Sequence, residues 1–371
     1  MTLNGIDKVL ILNYFSIDKL KIYLSNSILL GYFKKLKRRE SRFPGFTFRF
    51  LSSRLSTSIV ALPSLILLTQ FFFLSKSKNI LYRPSKRHRN FFDMQKSVLV
   101  IGNLSDRKWA KKHGFDFIFF YPLYCLSNFG LNYLWRYVFN KSCAKRFFVS
   151  TDYGLDQYLA IYLLKKTKVK SWCIQHGLFP SENSLDLDGA DCDVNIVATK
   201  FQSAILRRSG YKGKIKIWDN LFSNNTTKII WKKKLANDLI PVIFVGPGYS
   251  YNPYLELRVV QLVSEIQKIL PAQFKLIYRP HPRDAIILKK IKVLGVSCDS
   301  SNLTSFINSN ANFFIGIKST FLLEAQYYGK KVFLITGNEF PKYFEPGEIA
   351  TEINIDKLSS ILDDPLFKGI N

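Results

Sequence analysis

Short apolar runs alternate with helical stretches along most of this chain, and that alternation decides what it can fold into. VLVIG (98–102), FIFFYPL (117–123), RFFVS (146–150), SWCI (171–174), VNIVA (194–198) and KIKIW (214–218) each read as a strand. Between the earlier runs lie a Lys-rich helix from Asp106, one around 131–143 and one through Tyr162. A second series begins with a strand at Pro241–Val245, then a helix over 254–270, a strand over 274–278 and another over 312–317. Alternation of this kind means parallel pairing with right-handed crossovers. The expected fold class is therefore α/β, with two Rossmann-like, doubly wound domains and VLVIG as the first strand.

Two strand ends in the second series carry chemistry. LIYRPHPRD places His281 between Pro280 and Pro282, which fix the backbone on either side and aim the ring at small entropic cost. Arg279 and Arg283 flank it with fixed positive charge. In FFIGIKSTFLLEA, Ser319 and Thr320 fall at a helix start, where hydroxyls and free backbone N–H groups suit a phosphate. Glu324 lies one turn further in, where a carboxylate can hold ribose hydroxyls. The plainer alternatives are a helix cap at Ser319-Thr320 and a rigid surface turn at His281. Open α/β sheets bind ligands at strand carboxyl ends, which favours the functional reading of the pair.

RPHPRD followed by KSTFLLEA resembles the HP and S-S/T motifs of bacterial sialyltransferases with the GT-B fold, the family 52 glycosyltransferases and the bacterial polysialyltransferases. The capsule-type Kdo transferases and the CDP-glycerol glycerophosphotransferases of teichoic-acid synthesis have a similar pair. The resemblance covers residues 97–340. It implies two Rossmann-like domains facing a cleft, with the His and the hydroxyls holding the phosphate of a cytidine nucleotide donor, and it requires no metal.

Two strand ends of the first series bear on the acceptor. Thr151-Asp152-Tyr153-Gly154 follows RFFVS, where the resembled families have two acids before a glycine, one of them the general base. Asp152 matches the first acid, and Tyr153 stands in place of the second. Gln175-His176-Gly177 follows SWCI, and many surface-polysaccharide transferases carry Gln-His-Gly at the comparable point. By resemblance His176 is the other candidate base, or an acceptor or donor contact. The plain readings are Asp152 as a helix cap and His176 as a residue closing a turn. Glu182, Asp186, Asp188, Asp191 and Asp193 crowd the next loop at a spacing that fits no calcium loop, and read as a solvated acceptor-side loop. Gly246-Pro247-Gly248 after Pro241–Val245 is a tight turn whose glycines let backbone approach a donor phosphate.

Length and charge set the surroundings. With 371 residues, 47% of them hydrophobic, the chain has room for two domains. Its 54 Lys and Arg against 27 Asp and Glu give +27, a field that favours anionic partners. The charge is dispersed and forms no nucleic-acid module, so no nucleic acid is expected. Five cysteines, none in a CxxC pair, argue for a reducing cytosol and against a disulfide framework or zinc site.

Residues 1–93 are expected to form a basic N-terminal extension. Its apolar run IVALPSLILLTQFFFL (59–74) is shorter than the roughly 20 residues a spanning helix needs, and reads as an interfacial or buried helix. Flanking KKLKRRESR (34–42) and RPSKRHR (83–89) can rest on an anionic membrane. Met94, shortly before VLVIG, offers a second account in which the native chain starts there. The boundaries expected are an N-terminal acceptor domain over 94–222, a polar linker over 223–240, a C-terminal nucleotide-donor domain over 241–371, and a last helix over 355–362.

The function expected is a glycosyltransferase of surface polysaccharide synthesis, using a nucleotide-sugar donor, CMP-linked by the resemblance, with sialic acid or a Kdo-type sugar. No cofactor is expected, the acceptor is a lipid-linked glycan, and the location is cytoplasmic, peripheral at the inner face of the cell membrane. The alternatives are a CDP-polyol phosphotransferase and a non-catalytic basic protein that binds membrane or nucleic acid.

Overall fold

The structure is a computed structural model that describes residues 69–71, 77, 79–84, 89–92, 97–120, 128–151, 155–179, 191–219, 221, 239–248, 253–281, 284–301, 313–337, 340, 342–344, 348 and 351–354. These residues form two sheets, and the chain divides into two compact units. The first unit is residues 1–175, 186–196 and 213–215, and the second is 176–185, 197–212 and 216–371.

In the first sheet the strands are β1 (Asn79–Tyr82), β2 (Val98–Gly102), β3 (Asp116–Phe119), β4 (Arg146–Val149), β5 (Lys170–Ile174), β6 (Val194–Val197) and β7 (Lys214–Ile217). Among the described residues their order is β3-β2-β1-β4-β5-β6-β7, and β1 to β6 run parallel. Helices α1 (Arg89–Phe92), α2 (Leu104–Lys112), α3 (Asn128–Ser142), α4 (Leu155–Leu164) and α5 (Lys200–Arg208) lie between or after them. The alternation read from the sequence is therefore present, with β2 to β7 at the expected runs.

VLVIG is the second strand of this sheet, not the first. The strand NILY at 79–82 precedes it and lies between β2 and β4. All four of its residues are buried. Tyr82 is in edge contact with Trp135 at 5.4 Å between ring centroids, and its hydroxyl donates to Asp156. Four residues between Lys-rich and Arg-rich stretches have too little periodicity to stand out in sequence. The apolar run 59–74 also contributes, since Phe71 is 1% exposed in the same core. Gln70 accepts the N–H of Phe119 at 3.0 Å and donates to its carbonyl at 3.3 Å. A side-chain amide thus stands in for a strand partner at β3, the outer strand. The rest of the run, the linker over 223–238 and the expected helix over 355–362 lie outside the described residues.

The second sheet holds β8 (Ile240–Val245), β9 (Phe274–Arg279), β10 (Ser297–Cys298), β11 (Phe313–Gly316), β12 (Lys331–Thr336) and β13 (Thr351–Asn354). Its order is β10-β9-β8-β11-β12-β13, all parallel. Helices α6 (Pro253–Ile269), α7 (Ala285–Val293) and α8 (Thr320–Tyr327) alternate with these strands. Successive side chains of a strand point to opposite faces, so each strand feeds two cores. Val242, Phe244, Phe313, Ile315, Phe333 and Ile335 pack with α6 and α7. Ile243, Val245, Phe314, Val332 and Leu334 pack with Phe321, Leu322 and Ala325 of α8. Burial on both faces is why these strands read as unbroken apolar runs.

In each sheet the first strand in sequence sits with the second and third on one side and the fourth and later strands on the other. This is the order of doubly wound nucleotide folds. In the second unit the direction of winding reverses between β8 and β11, and open α/β sheets bind ligands beyond the strand ends at such a point.

Candidate functional site

The loops after β8, β9 and β11, three neighbouring strands, carry the site. After β8 the chain turns through Gly246-Pro247-Gly248, and both glycines are needed for reasons local to the protein. Gly248 has φ +73°, and a Cβ there would sit 2.7 Å from Nδ1 of His281. At Gly246 a Cβ would sit 2.7 Å from the Tyr278 hydroxyl and 2.9 Å from the His281 backbone nitrogen. The loop after β8 is therefore packed flat against the imidazole that ends β9. These glycines admit His281 and its supports, a demand that their sequence reading as phosphate approach did not include.

Asp284 builds the underside of this arrangement. It stands where the N-cap of α7 belongs but makes no capping bond. Its carboxylate instead accepts the His281 backbone N–H at 2.8 Å and the Tyr278 hydroxyl at 2.9 Å. The Asp284 N–H donates back to the His281 carbonyl at 2.8 Å. Burial pushes the Asp284 carboxyl above its ordinary range, while hydrogen bonds from His281, Tyr278 and Gly248 and the charge of Lys318 pull it down. Tyr278, fully buried on β9, is held protonated by burial and then by the adjacent carboxylate. Glu256 on α6 is 5% exposed and is also raised by burial, with Lys290 opposing and Asp284 adding. Sequence reading passed over Asp284 and Glu256. The signal for Asp284 was present in RPHPRD, an acid at a helix start that ordinary capping explains equally well.

Arg279 ends β9, and its guanidinium lies 4.0 Å from the centroid of Phe321 on α8. That contact ties the end of β9 to the helix behind β11. Ser319 is the N-cap of α8, its hydroxyl oxygen accepting the Phe321 N–H at 3.1 Å. A hydroxyl that accepts as a cap still has its proton to donate to an anion. Thr320 is 8% exposed and Glu324 2% exposed, so both lie largely inside the unit. Lys318, just before the cap, donates to the Tyr343 hydroxyl at 3.1 Å. Of the residues expected on the donor side, the structure gathers Gly246, Gly248, Arg279, His281, Ser319 and Thr320 at neighbouring strand ends. Pro282 and Arg283 lie outside the described residues.

On the side expected to serve the acceptor, Asp152 also lies outside the described residues. His176 follows β5 and is exposed, between the buried Gln175 and a loop that ends in the buried Phe179. It falls in the second compact unit, together with the helix α5. Of the acids in the following loop, Asp193 binds Ser171 through its carboxylate at 2.8 and 2.9 Å. Among the described residues no group of three His, Cys, Asp or Glu is placed to hold a metal ion. No described helix is long and apolar enough to cross a membrane.

No family model and no curated protein matches the chain. Solved structures do. A UDP-GlcNAc 2-epimerase from Methanocaldococcus jannaschii aligns with TM-score 0.50 and 14% identity, over 79% of this chain and 93% of that one. MnaA from S. aureus with UDP aligns with TM-score 0.52 and 11% identity, over 78% and 88%. The lipopolysaccharide outer core galactosyltransferase WaaB aligns with TM-score 0.51 and 10% identity, over 79% and 91%. The fold is GT-B. In GT-B terms, the second unit holds the C-terminal Rossmann-like sheet, and the Gly248–His281–Ser319 constellation stands at its point of reversed winding. At these identities the likeness carries the fold alone, so the chemistry rests on the site.

Proposed function

We propose that this chain is a nucleotide-sugar-dependent glycosyltransferase whose donor binds at the carboxyl ends of β8, β9 and β11. The observation that carries the reading is the His281 imidazole, locked in place by Gly248 and by Asp284, at strand ends shared with a helix start that offers Ser319 and Thr320. His281, Arg279, Ser319, Thr320 and the first amides of α8 meet the donor phosphate. As the sugar–oxygen bond breaks, the leaving nucleotide keeps the bonding pair, and these groups stabilise its charge. The acceptor hydroxyl oxygen bonds to the sugar carbon, and its proton passes to Asp152 or His176. By the sequence resemblance the donor is CMP-linked and carries sialic acid or a Kdo-type sugar. The acceptor is a lipid-linked surface glycan, and the net charge of +27 suits work beside an anionic membrane.

Calorimetric titration of CMP, CDP and UDP into the full chain and into His281→Ala tests the donor assignment. One nucleotide should bind the wild-type chain, with the affinity lost in the variant. Unchanged binding in His281→Ala would refute the assignment. A second reading, epimerisation of a nucleotide sugar, is favoured by the likeness in fold to the UDP-GlcNAc 2-epimerase from Methanocaldococcus jannaschii. It requires no acceptor, so conversion of the bound sugar without transfer would select it.

A further inference from the structure

Resting on that donor assignment, we infer that His176 belongs to the donor site, contacting the nucleotide's phosphate or ribose, and that Gln202 is the positioning residue that holds it there. Four observations within the second unit carry this. First, the described residues 176–179 fall in the same compact unit as the C-terminal sheet. Second, Leu178 packs against the core cluster that includes Val245, Phe314, Leu322, Tyr343 and Phe344, on the α8 side of the second sheet. Third, Gln202 of α5 is 0% exposed, and its amide takes both backbone groups of Phe179, accepting the N–H at 2.7 Å and donating to the carbonyl at 3.0 Å. Fourth, the same amide nitrogen donates to the Tyr343 carbonyl at 2.9 Å, and the Tyr343 hydroxyl receives Lys318, the neighbour of Ser319.

Buried side-chain amides with all their partners are costly to disturb, since each lost bond strands a backbone group away from water. Gln202 therefore joins two loops as a rigid piece, one ending in Tyr343 beside Lys318 and the other beginning at His176. The chain around His176 is anchored by burial at Gln175 and Phe179, while His176 as a residue stays exposed. An exposed residue on an anchored loop is pre-organised for a ligand, at little ordering cost on binding. Placing His176 with the donor leaves Asp152 as the acceptor base.

Titration of UDP and CMP into the full chain tests the inference, using His176→Ala, Gln202→Leu, the double variant and His281→Ala. His176→Ala should weaken nucleotide binding by roughly tenfold or more, the effect of one hydrogen bond to a charged group. Gln202→Leu should weaken it similarly, and the loss in the double variant should be less than the sum of the two, because Gln202 acts in part through that residue. Additive losses would overturn the positioning role. Unchanged binding in His176→Ala, with binding lost in His281→Ala, would overturn this inference and leave the donor assignment standing. Unchanged binding in His281→Ala would overturn both. If Gln202→Leu lacks the near-ultraviolet signature of the native fold, His176→Ala, altered at an exposed position, decides alone.

Discussion

The carboxylate of Asp284 accepts the backbone N–H of His281 at 2.8 Å, three residues upstream, while itself only 1% exposed. Its side chain thereby sets the backbone of the proposed donor ligand instead of capping the helix that it begins. Asp284→Ala would leave the His281 N–H and the Tyr278 hydroxyl without their acceptor. Each stranded buried donor costs about 1–3 kcal/mol. The expected outcome is a loss of roughly 2–4 kcal/mol in urea unfolding, with nucleotide affinity lost alongside it. Asp284→Asn, which keeps an acceptor oxygen, should lose less stability than Asp284→Ala in the same measurement.

Gly248 is bound to His281 by shape. Its φ of +73° and the imidazole 2.7 Å from the place of a Cβ both exclude a larger residue. Gly248→Ala should cost about 1–2 kcal/mol from the left-handed backbone alone. It should also weaken nucleotide binding by displacing the ring. In the background of His281→Ala the steric part of that cost disappears while the backbone part remains, and a double-mutant cycle in urea separates the two.

Glu256 sets a pH dependence. Burial raises its folded-state pKa above the ordinary carboxylate value, and Oε1 makes no hydrogen bond. The folded state then binds more protons than the unfolded state between the two pKa values. Its contribution to stability is full below the unfolded value near pH 4 and is lost as pH rises through the folded one. Glu256→Gln should abolish this part of the slope, leaving the variant more stable than the wild type at pH 7 to 8. At pH 4 the two should coincide. Urea titrations at both pH values measure it.

Arg279 and Phe321 couple β9 to α8 through a guanidinium 4.0 Å from a ring centroid. Such contacts contribute about 0.5–2 kcal/mol. Phe321→Leu keeps an apolar side chain, though a smaller one, and removes the quadrupole, so nucleotide affinity should fall by roughly 2- to 30-fold. Arg279→Lys should not restore the contact in full, since an ammonium cannot stack as a plane.

A chain begun at Met94 would lack β1, with Ile80 and Tyr82 both 0% exposed at the centre of the first sheet. Such a chain should express as aggregate or show no cooperative unfolding transition for its first unit. Tyr82→Phe, which takes the donor from the buried Asp156, should lower stability by about 1–3 kcal/mol in urea unfolding.

Much of this was legible in the sequence for a physical reason. Strands buried on both faces are apolar without interruption, so β2, β4 to β6, β8, β9 and β11 stand out from the helices between them, whereas β12 and the two-residue β10 were not singled out. NILY did not stand out because four residues carry no periodicity and basic neighbours mask them. His281 and Ser319 could be singled out because proline and hydroxyl residues act locally. Asp284 and Gln202 act across space: an acid at a helix start and a glutamine in a helix look like a cap and a solvated face until the fold turns them inward. Glu324, expected among ribose hydroxyls, is 2% exposed because the periodicity of α8 places it beside Phe321 and Ala325, both of which are buried.

The place of β1 shapes how the polypeptide emerges from the ribosome. One flank of this strand finds β2 soon after it is made, but the other stays bare until Arg146–Val149 has been synthesised. Through that interval the nascent protein presents an apolar ribbon with unmet amides, the form in which neighbouring copies adhere to one another. Pauses in translation between α1 and β4 would lengthen that exposure and should lower the yield of soluble protein.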